Sequence, residues 1–261
     1  MKFNHETGRS VEIDGAAIYY EVIGSNDAPP LLLLHGGIGS IEDFNVVLPS
    51  LASRFRLIGI DSRGHGRSTL GTQRLTYLRL EQDVIGVLRH LGIDRTAILG
   101  FSDGGIVGYR VMSSEVVTVS KLATIGAPCE LKPDDPVRAI YAKVTGQSWR
   151  EKFPASFESY QRLNREPDFD RLIVSAVQMW LDSTTSGYPA ETVDRLKGDV
   201  LILRGDDDHL FPRQAAVDLA NRIGRSAFAN IPFAGHVAHE AQPEIVLHVI
   251  DEFLRRNSGD C

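Results

Sequence analysis

The chain is short of several things, and each shortage removes a class of protein. It has two cysteines in 261 residues, Cys129 and Cys261. They lie far apart and lack metal-ligand spacing. A disulfide scaffold is excluded, and the pair reads as free thiols in a reducing compartment. No stretch concentrates lysine and arginine, and the net charge is -6, which argues against a nucleic-acid partner. The longest purely aliphatic run is Leu31 to Leu34, whereas a membrane-spanning helix needs about 20 apolar residues. The opening MKFNHETGRS has no apolar segment of the signal-peptide kind. Internal repeats and low-complexity tracts are also missing. These absences point to a soluble cytoplasmic protein. The ordinary balance of hydrophobic (43%) and charged (24%) residues points to a globular one.

What is there has a clear order. SVEIDGAAIYYEVIG alternates apolar and polar residues around Asp14-Gly15, the pattern of a β-hairpin with a tight turn. Five short continuous apolar runs follow: PLLLLHG, FRLIGID, RTAILGFS, SKLATIG and DVLILRGD. Strands buried on both faces look like this, and they imply a parallel sheet. Between them lie helical stretches. LTYLRLEQDVIGVLRHLGI has apolar residues three and four apart and ends at Gly92, a suitable C-terminal stop. Helices are also expected over 105–114, 213–223 and 243–256. Alternating strands and helices after an antiparallel start predict an α/β fold with a doubly wound, mostly parallel sheet and helices on both faces.

One segment breaks the alternation. Residues 128–196 hold no buried-strand run and read as short helices: PVRAIYAKVTG, WREKFPASFESYQRLN and FDRLIVSAVQMWLDS. The segment contains both tryptophans, Trp149 and Trp180. It is expected to be a helical cap inserted into a core formed by 1–127 and 197–261, with a pocket at the boundary. The alternative is a helical layer without a binding role.

Chemistry is concentrated at Gly100-Phe101-Ser102-Asp103-Gly104. A sharp strand-to-helix turn brings backbones together two residues before and two after its apex, where only glycine fits easily. The apex serine is then held above the sheet, as in a nucleophile elbow. The helix N-terminus that follows favours developing negative charge. A serine hydroxyl needs a base, and the base needs an orienting acid. Ligands in open α/β sheets bind at the carboxyl ends of strands. Two later strand ends carry candidates: the three aspartates of VLILRGDDDHLFP, and His236 in IPFAGHVAHE. His239 is expected at the start of a solvated helix. Asp-Asp-Asp-His has no clean tetrahedral spacing, so no metal site is expected.

Taken together the chain resembles the α/β-hydrolase family, from LLLLHGG to IPFAGHVAHEAQPE. The shared features are Leu34-His35-Gly36-Gly37, Asp61-Ser62-Arg63-Gly64-His65-Gly66-Arg67-Ser68, the elbow at Ser102, and Gly205 and Asp208 followed by Pro212. The resemblance implies an eight-stranded α/β-hydrolase sheet and a Ser102, Asp208, His236 triad, with Asp207 the alternative acid. It also implies an oxyanion hole from the backbone N–H groups of Asp103 and Gly37, or Ile38 in place of Gly37. His35 is similar to the family's structural histidine, and His65 is read as packing.

The Asp103 side chain is either a helix-end charge or a pocket group that attracts a cation. GFSDGG is similar to the elbow of the valacyclovir-hydrolase-like branch, where this aspartate is linked to an amino group on ester substrates. Asp103, Ile38, Trp149 and Trp180 are the substrate-binding candidates. The implied function is a serine hydrolase of a small carboxylic ester, lactone or related acyl compound, with no cofactor and a small-molecule partner. The same triad on this fold also serves C–C bond hydrolysis, perhydrolysis and hydroxynitrile lysis. A low-turnover ligand receptor is the alternative from another class. The sequence names no oligomeric state.

Overall fold

The computed structural model describes residues 1–256; Cys261 lies outside the described residues. The expected hairpin joins β1 (Arg9–Ile13) to β2 (Ala16–Ile23). Asp14 and Gly15 both take positive φ, +43° and +73°. Two consecutive left-handed residues give the turn the twist of the flanking strands. Six more strands follow: β3 (Pro30–Leu34), β4 (Arg56–Ile60), β5 (Arg95–Phe101), β6 (Thr118–Ile125), β7 (Asp199–Gly205) and β8 (Ser226–Ile231). They form one eight-stranded sheet in the order β1-β2-β4-β3-β5-β6-β7-β8. β2 runs antiparallel to both its neighbours, and the remaining pairs are parallel.

The apolar runs are continuous because each strand feeds two cores. Side chains alternate faces along a strand. Leu32 and Leu34 of β3 join one cluster with Ile58, Ile98 and Ile202; Leu31 and Leu33 join the other with Leu57, Leu99 and Leu203. On the first face lie α2 (Tyr77–His90), α3 (Asp103–Ser114) and α8 (Arg213–Arg222). On the second lie α1 (Leu48–Leu51) and α10 (Pro243–Arg255). α10 shows why such a segment becomes a helix and docks. Val246, Ile250, Phe253 and Leu254 fall on one face at spacings of four, three and one, and all are buried. Each such side chain contributes roughly 1.5–3 kcal/mol by leaving water. α2 starts where Thr76 Oγ1 accepts the Arg79 N–H (3.0 Å) and stops at Gly92, φ +67°.

Between β6 and β7 the described elements are helical: α4 (Val137–Tyr141), α5 (Gly146–Lys152), α6 (Pro154–Leu163), α7 (Phe169–Trp180) and a 3-10 turn, Ala190–Arg195. The stretch WREKFPASFESYQRLN is two helices rather than one. It breaks at Phe153 (φ -131°, ψ 61°), since the proline that follows cannot continue the backbone hydrogen bonding. α7 buries Phe169, Leu172, Ile173, Ala176 and Met179 against the first core. At the end of α6, Asn164 Nδ2 donates to the carbonyls of Gly64 (3.3 Å), Gly66 (3.1 Å) and Ser68 (2.9 Å), tying the segment to the glycine-rich turn. A short α9 (Ala238–Ala241) precedes α10. No helix among the described residues is long and apolar enough to cross a membrane.

Candidate active site

The turn from β5 into α3 is as tight as its glycines predict. A Cβ on Gly100 would meet the Gly104 carbonyl, and one on Gly104 would strike the Leu34 carbonyl oxygen. Ser102 sits at the apex with φ +49° and ψ -117°, a conformation that L-residues rarely adopt. Its N–H donates to the Ile125 carbonyl (2.8 Å), and its own carbonyl accepts from Gly105 (2.9 Å) and Ile106 (3.0 Å). The backbone is thus fixed from both sides, and the strain is held by β6 and α3.

Two strand-end loops bring their residues to this apex. His236 Nε2 lies 3.0 Å from Ser102 Oγ, and His236 Nδ1 lies 2.9 Å from Asp208 Oδ2. The Asp208 side chain is fully buried. Its Oδ1 accepts the N–H groups of Leu210 (2.9 Å) and Phe211 (3.1 Å), so the carboxylate is oriented at both oxygens. Asp207 is exposed, and Asp206 pairs with Arg213. Of the three aspartates, Asp208 is the one that meets His236. The loop beneath Asp208 is gripped by Arg204, 2% exposed on β7. Its guanidinium donates to the carbonyls of Phe211 (2.8 Å), Asp206 (3.2 Å) and Asp208 (3.1 Å) and to Asn230 Oδ1 (2.6 Å).

The loop after β3 faces the same apex. At Gly37 a Cβ would lie 2.7 Å from Asp103 Oδ2 and 2.8 Å from the Trp180 ring, so only glycine lets the loop approach. Ile38 is forced to φ +59°, and its carbonyl accepts from Ser156 Oγ (2.8 Å). His35 is buried under this loop. Its Nδ1 contacts the Gly36 carbonyl (2.7 Å) and its Nε2 takes the Ser62 N–H (2.9 Å). His65 packs at 5.4 Å from it. Burial pushes both rings toward the neutral form, His35 to about 4. The Asp61 side chain accepts the N–H groups of Ile41 (3.0 Å) and Arg67 (2.8 Å), and Arg63 pairs with Asp83 in the interior (2.6 Å). Through these bonds that stretch braces the loop.

Asp103 is 7% exposed. Its carboxylate accepts from Tyr77 O–H (2.7 Å, Oδ1) and from Trp180 Nε1 (2.9 Å to Oδ2, 3.1 Å to Oδ1). Burial pushes its carboxyl above the usual range, against the opposing pull of these two donors. Sequence reading missed Tyr77 and Arg204. Tyr77 showed only an apolar helical position and Arg204 only a charge inside a strand. His239 is a correction: it opens no solvated helix. It is 1% exposed in α9, packed against Phe101 and Phe44, because α9 turns inward beneath the site.

These groups open on a cavity of about 1190 Å³. Ser102, Asp103, His236, Gly37 and Ile38 line it from the strand ends, and Trp149 and Trp180 from the helical segment. The wall is mainly apolar and aromatic, with Trp149 and Trp180 6.3 Å apart and Tyr141 5.1 Å from Trp180. A space of this size takes a small organic molecule.

A sheet of this order, with an elbow serine at the end of β5 and an acid and a histidine after β7 and β8, defines a class of hydrolase. The chain belongs to the alpha/beta hydrolase family, whose model matches residues 31–249, and it is a hydrolase. Among individual proteins, it is 22% identical over 267 residues to the uncharacterized hydrolase YugF of Bacillus subtilis (strain 168), covering 95% of this chain and 97% of that one. The serine hydrolase BPHL of Mus musculus is 26% identical over 262 residues, 95% of this chain and 87% of that one. A solved structure of a hydrolase from Pseudomonas aeruginosa PA01 shares the fold with a TM-score of 0.80, at 22% identity, over 97% of this chain and 100% of that one.

Proposed function

We propose that the protein hydrolyses a small carboxylic ester, lactone or related acyl compound through Ser102, His236 and Asp208. The observation that carries this reading is the unbroken hydrogen-bonded chain from Ser102 Oγ through His236 to buried Asp208, opening on a large apolar cavity. Ser102 Oγ attacks the carbonyl carbon while His236 Nε2 takes its proton. The tetrahedral intermediate collapses, and Nε2 hands the proton to the departing alcohol oxygen. Water then attacks the acyl-serine, again losing a proton to Nε2. The carboxylic acid leaves and Ser102 Oγ regains its hydrogen. Asp208 keeps the Nδ1–H tautomer and stabilises the imidazolium formed at each attack.

In this reading the N–H groups of Gly37 and Asp103 receive the developing oxyanion, each donor contributing about 3 kcal/mol at the transition state. The Asp103 carboxylate is engaged by Trp180 and Tyr77, so its side chain secures α7 to the elbow instead of waiting for an amine. Residues 128–196 act as a cap over the core of 1–127 and 197–261, with Trp149, Trp180 and Ile38 contacting the substrate. The test is Ser102→Ala. It should lower kcat on p-nitrophenyl butyrate by about 10⁴ to 10⁶ and abolish labelling by a fluorophosphonate probe. Near-normal turnover or labelling in that variant would overturn the assignment.

A further inference from the structure

Both tryptophans of the helical segment use their indole N–H to reach the turns around Ser102. Trp180 Nε1 donates to the Asp103 carboxylate directly. Trp149 Nε1 donates to Ser156 Oγ (3.2 Å), and Ser156 Oγ donates in turn to the Ile38 carbonyl (2.8 Å), across 118 positions of chain. The two indole rings stand 6.3 Å apart in the cavity wall. One relay thus ends on the residue after the elbow serine, and the other on the loop after β3. Those are the two places to which the proposed reaction assigns its oxyanion donors, Asp103 and Gly37.

The second relay ends on a strained residue. The Gly39 N–H donates to the Gly36 carbonyl (3.2 Å), which closes a four-residue turn with Gly37 and Ile38 at its centre. Ile38 takes φ +59° at the third position, where such a turn normally carries glycine. A β-branched residue is costly in that conformation. The chain has glycine at 36, 37 and 39 but not at 38. Its isoleucine is 4% exposed and packs in the first core, which favours the side chain but does not relieve the backbone. Strain of this kind persists only where the surroundings hold it. Among the described residues, Ser156 is the one whose side chain hydrogen-bonds the Ile38 backbone. We propose that Ser156 is a positioning residue of the oxyanion hole: by holding the Ile38 carbonyl it keeps the turn in its strained form and the Gly37 N–H aimed at the developing oxyanion. The helical segment then contributes to transition-state stabilisation as well as to the pocket wall.

The proposal rests on the ester-hydrolase reading, and one set of assays separates the two. Wild type, Ser156→Ala and Ser156→Thr are compared on p-nitrophenyl butyrate. They are also compared for inhibition by propyl trifluoromethyl ketone, which an active serine converts to a tetrahedral adduct bearing an oxyanion. Alanine is the better helix former, so Ser156→Ala should fold. Its kcat should fall at least about tenfold with KM within about twofold, and its affinity for the ketone should fall by about the same factor as kcat/KM. Ser156→Thr keeps the hydroxyl and should stay within about threefold of wild type. In an Ile38→Gly background the positive φ carries no penalty, so adding Ser156→Ala should lower kcat by less than about threefold. The proposal is overturned by an unchanged kcat in Ser156→Ala, by a loss confined to KM, or by undiminished ketone affinity. A Thr variant as slow as the Ala variant overturns it too, and so does an equal loss in the glycine background. Wild type that neither hydrolyses p-nitrophenyl butyrate nor labels with a fluorophosphonate overturns the ester-hydrolase reading itself.

Discussion

His35 is held in one protonation state by its neighbours, and replacing it by glutamine makes that constraint measurable. With Nδ1 on the Gly36 carbonyl and Nε2 on the Ser62 N–H, the proton must sit on Nδ1 and Nε2 must stay bare. A second proton would set two N–H groups against each other inside the protein. Burial first, and His65 second, push the ring from 6.5 to about 4. Between those values the unfolded chain takes up a proton that the folded chain refuses. The stability His35 contributes is therefore complete above pH 6.5 and is lost as pH falls toward 4. At roughly 1.4 kcal/mol per unit, that difference amounts to a few kcal/mol, most of it lost between pH 7 and pH 4.5. His35→Gln keeps one donor and one acceptor but cannot titrate. Urea unfolding should find it less stable than wild type at pH 7, by about 1–3 kcal/mol for imperfect bonds. That gap should narrow, or reverse, by roughly 2 kcal/mol at pH 4.5. Parallel stability curves for the two proteins across this range would refute the reasoning, since they would mean that His35 titrates as freely in the fold as out of it.

Other consequences are as direct. Trp180→Phe takes the indole donor from the buried Asp103 carboxylate and should cost about 1.5–3 kcal/mol in urea unfolding; an unchanged midpoint would show that Tyr77 alone satisfies the group. Gly104→Ala drives a methyl into the Leu34 carbonyl, and a loss above about 3 kcal/mol, or no soluble protein, is expected; a variant as stable as wild type would contradict the close approach. Arg204→Met frees the loop that carries Asp208. It should lower kcat on p-nitrophenyl butyrate at least about tenfold with KM within about twofold. An unaltered kcat would mean that the loop holds itself.

The parts of this molecule that were legible in its sequence depend on short-range patterns. Continuous apolar runs report strands buried on two faces, and the leucines of β3 do divide between two cores. Gly100 and Gly104 flag an elbow because the clash they avoid lies a few residues away in the chain or on the adjoining strand end. Among the three aspartates after β7, the resemblance to the α/β-hydrolase family points to Asp208, and its carboxylate lies 2.9 Å from His236 Nδ1. The illegible parts are contacts between distant stretches. Trp180 reaches Asp103 across 77 positions, and nothing near either residue announces the partner. In the sequence alone, His239 reads as the start of a solvated helix. Only the placement of Phe44 and Phe101 makes that position an interior one.

The bond from Trp180 to Asp103 makes the helical segment and the sheet a matched set. Helical insertions above such a sheet are often pictured as interchangeable modules, grafted to change what the pocket accepts. Here one residue supplies the backbone that follows Ser102 in the elbow and also the carboxylate that the indole covers. A transplanted segment without an indole at this point would leave a charge buried beneath it, pressing on the very turn that holds Ser102. Exchanges at this boundary should succeed in pairs, with residue 103 and residue 180 changed together, and recombined libraries that treat the two regions as independent should be depleted of active members.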